Sequence, residues 1–134
     1  MPARPRPVPD AESAPYWEAA RAHRLSLPRC DDCGLWLFPP RQRCPGCQSS
    51  RLRWEALSGK GTVFSRCVMH ERLVPGFTPP YLVAQVELQE QAGLLLMCNI
   101  LDARPEEVAI GAPVEVAFED LEDATLVQFR LART

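Results

Sequence analysis

A chain of 134 residues, 46% hydrophobic and 24% charged, has ordinary globular composition, which excludes a disordered or fibrous class. Fourteen prolines argue for short strands and turns over long helices, and no apolar run approaches the roughly 20 residues of a membrane span. The net charge of −2 is uneven, +4 over residues 1–60 and −6 over residues 61–134.

Residues 1–12 begin with Pro2, Pro5, Pro7 and Pro9 and read as a semi-rigid extended arm. Arg4 and Arg6 stand there without an apolar stretch, so no signal peptide is expected in this segment. The chain is expected in the cytoplasm, with Cys67 and Cys98 reduced inside apolar strand-like runs. Residues 13–26 predict a short helix, with Ser13 as N-cap, Pro15 in the first turn and an end near Arg24. Tyr16, Trp17 and Ala20 form its apolar side. A helix of about three turns does not hold alone in water, so Trp17 anchors either the chain's own core or a partner.

Residues 27–57 carry Cys30-x-x-Cys33 and, after ten intervening residues, Cys44-x-x-Cys47. Two such pairs make a four-thiolate metal site, in which Gly34 and Gly46 are expected to supply the left-handed backbone of each tight turn. Two disulfides, four unrelated buried thiols and a rubredoxin-like iron are the alternatives; the spacing and the lack of a route to an oxidising compartment favour zinc. Four thiolates at about 2.3 Å leave no open position, which makes the metal a structural staple. Around the cysteines the pattern predicts a strand from Leu25, a second strand Leu35–Phe38 halted by Pro39-Pro40, and a third over Leu52–Glu55. Some 30 residues bury too little to fold alone, so the zinc must supply folding energy, on the order of 10–16 kcal/mol in small metal-folded peptides. Trp36 and Phe38 exceed what such a module hides and are expected to touch a neighbouring surface.

From residue 58 the period changes to two. Strands are predicted over Gly61–Met69, Tyr81–Leu88, Gly93–Leu101, Pro113–Glu119 and Leu126–Leu131, with a helical turn at Pro105–Val108. Five antiparallel strands in that order fit an OB-type Greek-key barrel. The fold class is therefore mainly β: a proline-rich arm, a short N-terminal helix, a zinc ribbon and a C-terminal five-stranded OB-fold over residues 58–134.

Nothing here assembles into a catalyst. His23 falls near the helix end and His70 at a strand-to-loop junction; Glu71 is adjacent to His70 but points to the opposite face. The run Glu119-Asp120-x-Glu122-Asp123 lacks the glycine and spacing of a calcium loop and reads as a solvated hairpin turn. Ribbons and OB-folds often bind nucleic acid, which is the alternative function. A barrel half of charge −6 with few aromatics opposes it.

Several segments together resemble one family. They are Pro15-Tyr16-Trp17-Glu18, Arg29-Cys30-x-x-Cys33-Gly34, Phe38-Pro39-Pro40-Arg41, Cys44-Pro45-x-Cys47, Ser58-Gly59-x-Gly61-Thr62-Val63-Phe64-Ser65, Pro79-Pro80-Tyr81, Pro105-Glu106-Glu107-Val108-x-Ile110-Gly111-x-Pro113-Val114-x-Val116 and Phe118-Glu119-Asp120. In this order the chain is similar to the domain-of-unknown-function-35 family over about residues 13–131. The resemblance implies a helix, a rubredoxin-like zinc ribbon and an OB-fold. It also implies a small non-catalytic subunit of a hetero-oligomer, beside a thiolase, acyltransferase or thiolase-like aldolase acting on acyl-CoA thioesters, some of them in steroid side-chain degradation. Neither a membrane nor nucleic acid is implied as a partner. Candidate contacts are Trp17, Trp36, Phe38, His70, Phe77 and Tyr81, the last two from the stiff Pro75–Tyr81 loop. Arg41, Arg43, Arg51 and Arg53 either meet coenzyme A phosphates or form a solvated ribbon face.

Overall fold

A computed structural model of the chain describes residues 8, 10–71, 79–122 and 124–132. Helix α1 spans Ala14–Arg21. Ser13 stands at the N-cap as expected, but with helical backbone and no side-chain bond into the helix; the Asp10 carboxylate instead accepts the Ser13 N–H at 2.8 Å, and Ser13 Oγ accepts the Asp10 N–H at 3.1 Å. The helix also stops before Arg24. His23 turns left-handed (φ 59°), its N–H bonding Ala20 O and that of Arg24 bonding Ala19 O, both at 2.8 Å. This is a Schellman stop with histidine where glycine is usual, at a backbone cost of about 1 kcal/mol. α1 buries Ala19 and Ala20.

Strands β1 (Ser26–Cys30) and β2 (Leu52–Ala56) pair antiparallel, from Ser26↔Ala56 to Cys30↔Leu52. The strand expected over Leu35–Phe38 shrinks to a single bridge, Arg29↔Trp36. Leu35 O and Leu37 N–H do bond β1, at 2.8 and 2.9 Å. On its other side Trp36 meets one side chain instead of a strand: Gln91 Oε1 accepts its N–H at 2.9 Å and Gln91 Nε2 donates to its carbonyl at 3.1 Å. Gln91 thus welds ribbon to barrel. Gln91→Ala should leave two partly buried backbone groups unpaired, costing about 1–3 kcal/mol. Native-state hydrogen exchange should then show the Trp36 amide exchanging about tenfold faster or more.

The barrel consists of β3 (Lys60–Met69), β4 (Tyr81–Leu88), β5 (Leu95–Cys98), β6 (Ile100–Leu101), β7 (Pro113–Asp120) and β8 (Thr125–Leu131), in sheet order β5-β4-β3-β7-β8-β6. A 3-10 turn at Pro105–Glu107 precedes β7. The expected third strand is broken at Asn99, and not every pair is antiparallel. Its first half pairs antiparallel with β4, its second half parallel with β8 through Ile100↔Phe129 and Leu101↔Arg130. Closing the sheet requires one strand to leave one neighbour for another. Asn99 manages the switch by donating from Nδ2 to Leu82 O at 2.8 Å and from its N–H to Gln128 Oε1 at 2.7 Å. Gly61 lies where β3 pairs closely with β4, opposite Leu88: a Cβ there would stand 2.5 Å from Glu87 O. One buried cluster runs from Ala20, Leu27 and Trp36 through Val63, Val86 and Leu88 to Phe129, so helix, ribbon and barrel share a core. No helix among the described residues is long and apolar enough to cross a membrane.

Candidate metal centre and docking groove

The knuckle turns bring the four cysteine sulfurs of residues 30, 33, 44 and 47 within 4.8 Å of one another. Cys30 and Cys44 are buried, Cys33 and Cys47 exposed. The Cys30–Cys47 and Cys33–Cys44 sulfurs stand 3.5 Å apart. A tetrahedron with 2.3 Å metal–sulfur bonds has edges of about 3.8 Å, so the donor set fits a zinc-sized ion. In the first knuckle Gly34 is left-handed (φ 79°) as expected; in the second the left-handed residue is Gln48 (φ 62°), not Gly46. At Gly46 a Cβ would meet Leu35 Cδ2 at 3.4 Å and Cys44 Sγ at 3.6 Å, ordinary contact distances, so neither space nor backbone demands glycine there; its N–H donates to Cys44 Sγ at 3.3 Å.

The thiols are divided electrostatically. The Cys33 N–H leads in drawing Cys30 down to about 7, and the Cys47 N–H leads in lowering Cys44. Cys33 receives the Leu35 N–H, which favours its thiolate, but contacts with the other sulfurs outweigh this and push it up to about 12. Four touching thiols do not ionise together unless a cation compensates them, and a divalent metal is that cation.

Carboxylates brace the ribbon outside the sulfurs. Asp32 accepts Ser49 Oγ–H at 2.5 Å and pairs with Arg51; the Ser49 bond, then Arg51, holds its carboxyl below the ordinary range. Arg53 pairs with Asp31 at 3.1 Å. Arg29 reaches Glu55 at 3.3 Å and lies 4.9 Å from the Trp36 ring centre. Arg51 and Arg53 are thus occupied by the ribbon's own carboxylates. Arg43 donates to Gln48 O at 3.3 Å, and Arg41 is exposed.

Where helix, ribbon and barrel meet, a groove of about 600 Å³ opens. Tyr16 and Trp17 form its helix wall, Phe38, Pro39 and Pro40 its ribbon wall, and Tyr81, Val83 and Met97 its barrel wall. Its polar floor includes Asn99 and the buried Gln128, which donates to Asn99 Oδ1 at 3.3 Å and Glu119 Oε1 at 3.1 Å. Among the described residues no charged side chain lines it. Cys98 is pushed up to about 12 by burial and remains a thiol. Tyr16 packs against Trp17 at 5.1 Å and Phe38 at 6.2 Å between ring centres.

The structure therefore joins Trp17, Phe38 and Tyr81 on one surface. It corrects Trp36, which is 7% exposed in the shared core and unavailable to a partner, because the ribbon packs on the barrel. His70 is exposed just after β3, and neither it nor Arg41 nor Arg43 lines the groove. Phe77 lies outside the described residues. Met97, 69% exposed, went unrecognised. The parity of Leu94, Leu96 and Cys98, all buried, turns Met97 outward, a signal hidden by the continuous apolar run. The acidic turn is also more than solvated surface: Asp120 accepts from Thr125 Oγ1 at 2.8 Å and bonds His23 Nε2 at 2.9 Å.

Residues 17–53 match the family model of the ChsH2 rubredoxin-like zinc ribbon domain, and residues 54–119 that of the ChsH2 C-terminal OB-fold domain. The 3-oxo-4,17-pregnadiene-20-carboxyl-CoA hydratase alpha subunit of Mycobacterium tuberculosis is 36% identical over 90% of this chain and 38% of its own length. The chain spans about two fifths of the length of the hydratase alpha subunits it matches. A DUF35 domain-containing scaffold protein of Methanocaldococcus jannaschii is 36% identical over 71% of this chain and 67% of its own length. Among solved structures, a chain of an Ltp2-ChsH2(DUF35) aldolase superposes with a TM-score of 0.87 at 35% identity, covering 96% of this chain and all of that one.

Proposed function

We propose a function from one premise: the chain belongs to the DUF35 family, as a zinc ribbon followed by an OB-fold. It is a non-catalytic, zinc-bearing subunit that docks onto an enzyme of the thiolase superfamily acting on acyl-CoA thioesters in the cytoplasm. The Mycobacterium tuberculosis relative is named for a pregnadiene carboxyl-CoA, which makes steroid-derived acyl-CoA the first substrate class to test. The carrying observation is the groove, lined among the described residues by no charged side chain, in which Trp17, Phe38, Tyr81 and Met97 converge. Aromatic and methionine side chains around an exposed apolar cleft are what interface anchors look like, and the groove borders helix, ribbon and barrel at once, so a docked partner senses all three. Cys30, Cys33, Cys44 and Cys47 hold the zinc. When bound, it supplies folding energy and no open coordination position, so its part is to keep Phe38, Pro39 and Pro40 in place as a groove wall.

The test is capture from the native host. Tagged wild-type chain should co-purify with a thiolase-superfamily acyl-CoA enzyme in stoichiometric amount. A variant combining Phe38→Ser and Met97→Asp should lose at least about tenfold of that affinity, since it removes one anchor and buries a charge. Its zinc content should stay unchanged by metal analysis. Recovery of no such enzyme by the wild type, or equal recovery by the variant, would overturn the proposal.

A further inference from the structure

The stop of α1 holds a feature that docking alone leaves unexplained. His23 occupies the left-handed slot at φ 59°, where glycine is the ordinary residue, so its side chain is kept despite the backbone. The imidazole lies flat on Phe118, with ring centres 5.1 Å apart and planes at 8°. Its Nε2 stands 3.0 and 2.9 Å from the two carboxylate oxygens of Asp120, which also accepts the Thr125 hydroxyl at 2.8 Å. Phe118 and Asp120 belong to β7 and Thr125 opens β8, 97 residues and more beyond the helix. The next residues of β8 floor the groove, while α1 supplies its Trp17 wall. One side chain thus ties the helix wall to the strand floor.

We infer that His23 is a positioning residue of the groove: through Asp120 and Phe118 it holds α1 at the spacing from β8 that the docked partner requires. The inference rests on the docking proposal. It separates from a simple capping role by sign. Glycine at position 23 relaxes the backbone and drops the tie, so a residue that only capped the helix would leave the groove unchanged or firmer when replaced.

The experiment uses the zinc-loaded full chain and three variants, His23→Gly, His23→Asn and Asp120→Asn. Asparagine tolerates the left-handed backbone but is too short to span to Asp120. In all three, NMR should show the Trp17 indole N–H and the Met97 methyl shifted and broadened, with the melting temperature of His23→Gly no lower than wild type. The double variant His23→Gly with Asp120→Asn should go no further than the stronger single one. Capture of the partner should weaken by about two- to fivefold, the scale of one exposed side-chain hydrogen bond. Unmoved Trp17 and Met97 signals would overturn the inference. So would moved signals with undiminished capture in His23→Gly, provided that Phe38→Ser with Met97→Asp still abolishes capture. If that groove variant also binds normally, the docking proposal is what has failed, and partner spacing falls with it.

Discussion

Serine in place of Cys30 or Cys47 is expected to abolish zinc binding and melt the ribbon, while the barrel retains its β-structure. Both residues belong to one close sulfur pair, 3.5 Å apart, but they differ in burial: Cys30 lies at the end of β1 and is 2% exposed, whereas Cys47 faces solvent. A hydroxyl is a poor zinc ligand at neutral pH and sits too close to its backbone to complete the tetrahedron, so three thiolates hold the ion far less tightly. The loss should be large, since in the structural role proposed above the metal is the main folding energy of the knuckles, on the order of 10 kcal/mol. Two short strands and a single bridge do not replace it. Metal analysis should read one zinc per wild-type chain and none in either variant. Near-ultraviolet circular dichroism should lose the Trp36 and Trp54 signals of the ribbon, and partner capture should fail because the Phe38–Pro40 wall is gone. Retention of both zinc and partner by either variant would contradict the structural role given to the metal.

The cysteine site was legible from sequence because its geometry is local: each pair is closed by one turn, and spacing alone reports that. The barrel strands were legible for a similar reason, since alternation such as Leu82, Ala84, Val86 and Leu88 marks a strand wherever it ends up. What stayed hidden depends on residues distant in the chain. The Leu35–Phe38 segment has the apolar content of a strand, yet its second partner is the Gln91 side chain, 55 residues away. Trp36 looked too large for a small ribbon to bury, and so it is; the barrel buries it. The parallel seam of Ile100 with Phe129 leaves no trace in periodicity, because a strand that changes partners reads like one that does not. His23 and Asp120 are each unremarkable in sequence, and only the closed fold brings them together.

That seam is also where a single substitution should damage the barrel most. Phe129 is fully buried, stands opposite Val116 on β7 and Ile100 on β6, and donates its N–H to Asn99 O at 3.3 Å. Phe129→Ala removes the ring from the line along which the sheet closes. Neighbours on β6 and β7 cannot move in together without breaking register, so the cavity persists, and the expected cost is about 3–5 kcal/mol. Against a typical total of about 5–15 kcal/mol, this is a large share of the chain's stability. Urea unfolding should show the midpoint falling with little change in slope. Zinc should stay bound in the native variant, because none of Cys30, Cys33, Cys44 and Cys47 belongs to the buried cluster that holds Phe129, yet ribbon and barrel should melt together, since Leu27 and Trp36 lie in that cluster. The Cys30 and Phe129 variants therefore act in opposite senses on one shared core. Loss of the zinc unfolds the knuckles and spares a barrel that closes on itself, whereas an opened seam withdraws the surface on which the ribbon is seated. Separate melting of the two modules in Phe129→Ala would show that their packing is looser than one continuous core implies.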